Sequence, residues 1–298
     1  MTTATAPEQR ACRFTASAAA WNLLVHLRLP FQLVLAPFML WGAALARTPI
    51  SARFVVGFVV LHVCLYGGTT AFNSHYDRDE GPVGGLANPP PPGPWLLPGS
   101  LAIQAVGLAI AAWIGLALFA VCVCFAVLGF LYSHPWSRWK GDPWRSWLTV
   151  MIGQGALGTA AGVVLRDPIA WTSEIGWGVV AAAITVGAIY PLTQLFQIEE
   201  DRARGDRTLA IALGRRGTRV AAGALSATGA LLMALSARAG GHLVDAAVLG
   251  GSALPLIAGA AWVSADGEVK TIYRRVSLFQ IGAGGAFAAY AVLRLWRS

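Results

Sequence analysis

One stretch constrains this chain more than any other: from Trp95 to Ser133 there is no charged residue. As a helix rising about 1.5 Å per residue it would be roughly 58 Å long. That is close to twice the ~30 Å hydrocarbon thickness of a bilayer. The segment must fold back on itself, and a tight turn is expected near 113–115. The rest of the chain has the same character. Of its 298 residues 56% are hydrophobic and 12% charged, about half the ~25% charge of an ordinary soluble domain. Disorder is excluded, because it needs low hydrophobicity and high charge, and a soluble enzyme of ordinary composition is disfavoured. The expectation is an all-α, polytopic membrane protein.

Apolar runs bounded by charges predict spans at 29–46 and 54–72, two within 95–133, and others at 147–165, 177–196, 220–237, 243–263 and 276–296. Nine spans put the termini on opposite sides. Of the 22 Lys and Arg residues, 16 then fall in segments on the N-terminal side and 6 on the other. The positive-inside rule therefore places the N-terminus in the cytoplasm and the C-terminus outside. The net charge of +8 reads as cytoplasmic loops beside anionic lipid, or as an anionic substrate, and not as nucleic-acid binding. Trp95, Trp113, Trp171, Trp177 and Trp296 suit the interfacial belt that indoles favour. Many of the 34 glycines fall within or beside spans, where small residues let helices approach closely.

Cys12, Cys64, Cys122 and Cys124 form no CxxC and read as small buried side chains, not as a disulfide or a metal site. Residues 1–20 lack a compact apolar core and are expected to be a cytoplasmic tail without a cleaved signal peptide. Residues 21–298 are expected to form one transmembrane domain.

Two acidic clusters stand out in a chain so poor in charge. FNSHYDRDEGP closes the second span and carries Asn73, Asp77, Asp79 and Glu80. YPLTQLFQIEEDRARGDRTLA closes the sixth and carries Gln197, Glu199, Glu200, Asp201 and Asp206. If the second helix runs on through its cluster, Asn73, Asp77 and Glu80, spaced four and three apart, share one face; Gln197 and Asp201, four apart, do the same. Hard oxygen ligands on one face suit Mg²⁺, which keeps waters and takes further ligands from a substrate phosphate. A single cluster of this kind is most simply a solvated helix end. Two on one side, each at the end of a span, point to a site. A third segment on that side, LYSHPWSRWKG, brings Arg138 and Lys140, able to bind the remaining oxygens of a diphosphate. Arg202 and Arg207 are weaker candidates for that role. No His pair has ligand spacing, so none of the five histidines is expected to hold metal.

Three motifs, NxxxD after the second span, YSxP…RxK after the fourth, and an acidic motif followed by G…RTL after the sixth, resemble the UbiA family of membrane prenyltransferases. The resemblance runs from Arg28 to the last span. It implies a helical bundle around a central cavity, with Mg²⁺ holding an isoprenyl diphosphate between the acidic motifs. It assigns catalytic roles to Asn73, Asp77 and Asp201. The metal set it implies is Asn73, Asp77, Asp79, Glu80, Gln197, Glu200 and Asp201. Arg138, Lys140, Arg202 and Arg207 would bind the diphosphate, and the rings of Tyr76, Tyr132 and Tyr190 would face the allylic cation.

The sequence departs from the family pattern in three places. Ser74 replaces the second residue of NDxxDxxxD and Gly81 its last Asp, with Asp79 or Glu80 able to supply the missing carboxylate. Gln197 replaces the first Asp of DxxxD, with Glu199 or Glu200 able to compensate; on a continuous helix Glu200 lies closer to that face. Gly81 resembles the naphthoate-type branch that makes menaquinone, whereas YSHPW…K looks closer to branches that prenylate homogentisate or esterify chlorophyllide. The acceptor thus stays open: an aromatic or other lipophilic molecule of quinone-type biosynthesis, or none, as in a cyclase of the same fold. A transporter would want its ionisable residues at the bilayer midplane, not at helix ends. The Gly- and Pro-rich segment 81–95 cannot be a regular helix and is placed to act as a lid over the diphosphate.

Overall fold

A computed structural model of the chain describes residues 16–297. Most of the expected 1–20 tail, with Arg10, Cys12 and Arg13, lies outside them. The described residues form helices, and among them no strand occurs beyond one isolated bridge between Val83 and Leu86.

Helix α1 (Ser17–Gln32) and helix α2 (Ala36–Ala46) meet at a 49° bend and are together long and apolar enough to count as one broken span. The bend has a local cause. Arg28 adopts a left-handed conformation with φ 51°, and Pro30 and Pro37 each sit in the first turn of the helical stretch that restarts after an interruption. Proline removes a donor that the first turn does not need, so it starts helices and does not continue them. Then follow α3 (Ala52–Asp77), α4 (Leu96–Ile114), α5 (Leu116–Ser133), α6 (Pro143–Val164) and α7 (Ser173–Thr193). A short helix, α8 (Ile198–Ala203), precedes α9 (Leu209–Ala239), α10 (Leu243–Val263) and α11 (Val269–Arg297). Among the described residues eight helices are long and apolar enough to span, or nine if the bent pair is counted as one span.

The expected fold-back falls where α4 gives way to α5, at Gly115. The expected span at 243–263 coincides with α10. Elsewhere the helices outrun the apolar runs: α9 begins at Leu209 and α11 at Val269, where 220 and 276 were expected. Charges mark where a chain leaves the hydrocarbon, not where its helix stops, so Arg215, Arg216 and Arg219 lie within α9. Good caps set several true starts. The Asp142 carboxylate accepts from the Trp144 and Arg145 amides at the head of α6 (3.0 and 2.8 Å), and the Thr172 hydroxyl from Ile175 at the head of α7 (3.2 Å).

Helix α9 is kinked at Gly214 (φ 65°, ψ 170°), and two other helices contain looser stretches. Val60–Gly67 within α3 and Met151–Leu157 within α6 are π-helical. Both wind looser in mid-span, and both lead toward or away from the polar end of the cavity described below.

Close backbone approach holds α2 against α6. A Cβ on Gly42 would lie 1.9 Å from the Thr159 carbonyl oxygen, and one on Gly162 would lie 2.0 Å from that of Met39. Around this crossing Met39, Ala43, Leu61, Leu65 and Ala161 are fully buried. A second core, with Trp41, Ala181, Ala182 and Ala237, joins α2, α7 and α9. Arg294, one of the six cations expected on the side away from the N-terminus, is buried: it pairs with Glu174, approaches Asp245 at 3.6 Å and lies 5.3 Å over the Trp41 ring. The five belt tryptophans are exposed near helix ends. Cys64 and Cys122 are buried, but Cys124 faces outward, since two residues of a helix turn about 200°.

Between α2, α5, α6, α7, α9, α10 and α11 lies a cavity of about 960 Å³. Its walls include Phe38, Phe125, Val186, Met233, Leu249 and Phe287, and its polar residues gather where α3, α5 and α7 end.

Candidate active site

The first acidic motif sits on the last turn of α3 and just beyond it. The helix stops at Asp77 because Arg78 turns left-handed (φ 50°) and donates its amide to the Ser74 carbonyl at 3.1 Å. The premise that Glu80 continues the face of Asn73 and Asp77 therefore fails. After the turn the chain aims Asp79 inward, with its side chain 5% exposed. Glu80 is exposed and its amide donates to Glu200 Oε1 at 3.1 Å. Asn73, Asp77 and Asp79 all line the cavity; Glu80 does not.

The second motif breaks similarly. α7 ends at Thr193 and a turn intervenes. Gln197 (φ −111°, ψ 3°) then stands immediately before α8, accepting the Asp201 amide at 2.8 Å. Gln197 and Asp201 line the cavity together. Glu199 is solvated and pairs with Arg202. Glu200 is partly buried under segment 81–95, where a Cβ on Gly81 would meet its carboxylate at 2.8 Å. That segment lies directly on the site: Val83, Gly84 and Gly85 line the cavity, and Asn22 anchors it by donating to Pro91 O (3.0 Å) and accepting from the Gly93 amide (2.9 Å).

The third motif closes the ring. Lys140 is buried and forms an ion pair with Asp77, whose other oxygen accepts from Asn73 Nδ2 at 2.7 Å; Asn73 also donates to Ser133 Oγ at 3.1 Å. Arg138 makes a forked pair with Asp206 (3.1 and 3.0 Å). The Arg207 amide donates to Gly141 O at 3.0 Å, joining the second and third motifs through backbone, while its side chain is exposed. Arg202 is likewise turned to solvent.

Two cations that the sequence did not single out hold the centre. Arg204 reaches Asp79 Oδ1 (2.7 Å), Asp201 Oδ1 (2.8 Å), Glu200 Oε1 (3.2 Å) and Asp206 Oδ2 (3.7 Å). Arg28, 7% exposed, donates to Ser74 Oγ at 2.7 Å and lies 3.9 Å from Asp79. A signal for Arg204 was present in EEDRAR, since it stands three and four residues after Asp201 and Glu200. Burial raises the pKa of Asp201, partly opposed by Arg204. Burial alone would lower that of Arg204, but Asp79 and Asp201 outweigh it and hold the guanidinium charged.

Of the tyrosines, Tyr132 and Tyr190 share an OH–OH hydrogen bond of 2.9 Å and line the cavity beside the polar end. Tyr76 packs among Phe72, His75 and His134, outside the cavity wall. The donor set of carboxylates and an amide oxygen has the chemistry Mg²⁺ prefers. Among the described residues, no three acidic, His or Cys side chains converge as a metal cluster; Lys140 pairs with Asp77, and Arg204 with Asp79 and Asp201.

The sequence profile of the UbiA prenyltransferase family matches residues 35–281. No protein of curated function matches significantly. Several solved structures share the fold. A UbiA homologue from Archaeoglobus fulgidus bound to GPP and Mg²⁺ is 20% identical with a TM-score of 0.68, covering 92% of this chain and 99% of that one. A UbiA homologue from Aeropyrum pernix is 22% identical with a TM-score of 0.63, covering 86% and 97%. A digeranylgeranylglyceryl phosphate synthase is 13% identical with a TM-score of 0.65, covering 94% and 99%.

Proposed function

Since this chain belongs to the UbiA prenyltransferase family, we propose that it transfers a prenyl group from a prenyl diphosphate to an aromatic or other lipophilic acceptor within the membrane, in quinone-type biosynthesis. The observation that carries this reading is the gathering of both acidic motifs and the Arg138–Lys140 loop at one end of a largely apolar cavity of about 960 Å³. The similarity to structures holding GPP or DMAPP with Mg²⁺ supports it.

Asn73, Asp77, Asp79, Gln197 and Asp201 line the cavity and would hold Mg²⁺, with Glu200 joining them from beside Arg204; Glu80 and Glu200 both stand outside the cavity wall. The bound ion supplies positive charge to the leaving diphosphate. Lys140 and Arg138 bind diphosphate oxygens, and charge neutralised there favours ionisation of the allylic C–O bond. Arg202 and Arg207, exposed, attract the substrate at long range. The apolar walls keep water from the allylic cation, and the Tyr132–Tyr190 pair turns aromatic faces to it. Segment 81–95 covers the diphosphate. The cation bias favours a cytoplasmic N-terminus, and with it an active site on the cytoplasmic side of the cell membrane.

The test is purified protein with Mg²⁺ and a panel of prenyl diphosphates, with and without aromatic acceptors. Prenylated acceptor is expected. A cyclic hydrocarbon formed without acceptor would assign a cyclase instead, and no consumption of any prenyl diphosphate would refute both.

A further inference from the structure

We propose that Arg204 is a resident counter-ion that holds the two acidic motifs together without metal, and so makes metal entry depend on a diphosphate. The proposal rests on the reading of the site given above and adds a residue and an order of binding to it.

At the polar end five carboxylates, Asp77, Asp79, Glu200, Asp201 and Asp206, face four cations, Arg28, Arg138, Lys140 and Arg204. Three of these cations are committed narrowly. Lys140 pairs with Asp77, Arg138 with Asp206, and Arg28 with Asp79 and Ser74. Arg204 alone among them touches both acidic motifs, reaching Asp79 beyond α3 and three carboxylates in and after α8. Asp79, Asp201 and Asp206 are 5–8% exposed. Buried like charges repel strongly unless a counter-charge lies among them. A guanidinium fork suits the task because its donors point several ways in one plane.

This occupancy sets the order of events. A bare divalent ion brings two positive charges into a site already close to balanced, and to reach Asp79 and Asp201 together it must displace Arg204. The guanidinium would lose its two shortest contacts and keep only Glu200 at 3.2 Å and Asp206, 3.7 Å away and already forked by Arg138. When a diphosphate arrives with the metal, Arg204 can exchange its carboxylates for phosphate oxygens, to which it forks equally well. Metal and diphosphate thus bind with positive coupling, and Arg204 is the element that couples them. It positions the carboxylates before the diphosphate arrives and binds diphosphate oxygens afterwards.

The test reads binding and not turnover. Mn²⁺ affinity, followed by electron paramagnetic resonance, is measured on the full chain in nanodiscs with and without inorganic pyrophosphate. Wild type is expected to bind Mn²⁺ weakly alone and at least tenfold tighter with pyrophosphate. Arg204→Gln is expected to bind Mn²⁺ alone about tenfold tighter than wild type and to lose most of the coupling; mere structural damage would weaken metal binding. Arg204→Lys, which keeps the charge but not the fork, should fall between, and it decides the matter if the Gln variant does not fold. Unchanged Mn²⁺ affinity and coupling in these variants would overturn the role of Arg204 alone. Failure of wild type to bind either probe would overturn the proposed function as well.

Discussion

The pair between Lys140 and Asp77 offers a quantitative test of how the site is built. Both side chains are 7% exposed and they belong to different motifs, on the loop after α5 and at the end of α3. Lys140→Met keeps an unbranched chain of similar reach and removes only the charge. Asp77 then retains Asn73 as its neutral partner but no cation of its own. Stranding one member of a buried ion pair costs about 3–5 kcal/mol. For a chain of this size roughly 2 °C of melting temperature corresponds to 1 kcal/mol, so a fall of about 6–10 °C is expected. Asp77→Asn strands Lys140 and should cost a similar amount. The double variant, with no charge left at either position, should recover more than half of the summed loss, because replacing both partners avoids the stranded charge. The assay is thermal unfolding in detergent with metal chelated and no diphosphate present, which isolates the protein's own contacts. A shift under 1 °C for Lys140→Met, or losses that simply add in the double variant, would refute this account.

In turnover assays with Mg²⁺, Asp77→Ala should nearly abolish activity. Glu200→Gln and Asp201→Asn should each lower it at least tenfold, whereas Gln197→Asp keeps it and Glu199→Gln stays within about twofold; a damaging Glu199→Gln beside a silent Glu200→Gln would show the ligands are misassigned. A reporter fused after Ser298 should lie outside the cytoplasm; a cytoplasmic signal would mean the span count is wrong by an odd number. Gly162→Ala drives a methyl group against the Met39 backbone and should cost at least the 1–3 kcal/mol typical of overpacking, read as a melting shift of several degrees. Gly176→Ala, with nothing within 4 Å, should leave the melting temperature unchanged or raise it.

What the sequence disclosed about the fold was whatever hydropathy encodes: a run of eight or nine candidate spans, the fold-back at Gly115, and acidic clusters at the ends of spans. Helix ends were less legible, because α9 and α11 carry charged turns outside the hydrocarbon that look like loops to a hydropathy reading. At the site, residue types and spacing brought the three motifs together, yet the individual assignments turned on where each helix stops. Arg78 in the left-handed region substitutes Asp79 for Glu80 at the cavity wall, and nothing in the residue type announces that, since arginine is no usual helix terminator. Likewise Arg202, Arg204 and Arg207 are alike in composition. Only the start of α8 at Ile198 decides that the middle one turns toward the carboxylates while its neighbours face solvent.

The looser winding of Val60–Gly67 makes the site a matter of rotational phase. Every residue after that stretch, Asn73, Ser74 and Asp77 included, has its bearing around the helix axis set by how many α-helical residues separate it from the π segment. Removing one residue between 60 and 67 would restore ordinary winding and leave the hydropathy of the span almost untouched, so insertion into the membrane would proceed. Because a π turn absorbs one extra residue, that deletion would roughly keep the bearing of Asn73 and Asp77, whereas one removed from the α-helical stretch 68–72 would swing them by about 100°, away from Ser133 and Lys140. The number of residues between the π stretch and Asn73 thus governs whether the acidic end of α3 points into the cavity, and a variant with one residue deleted there would be inserted, folded in outline and silent.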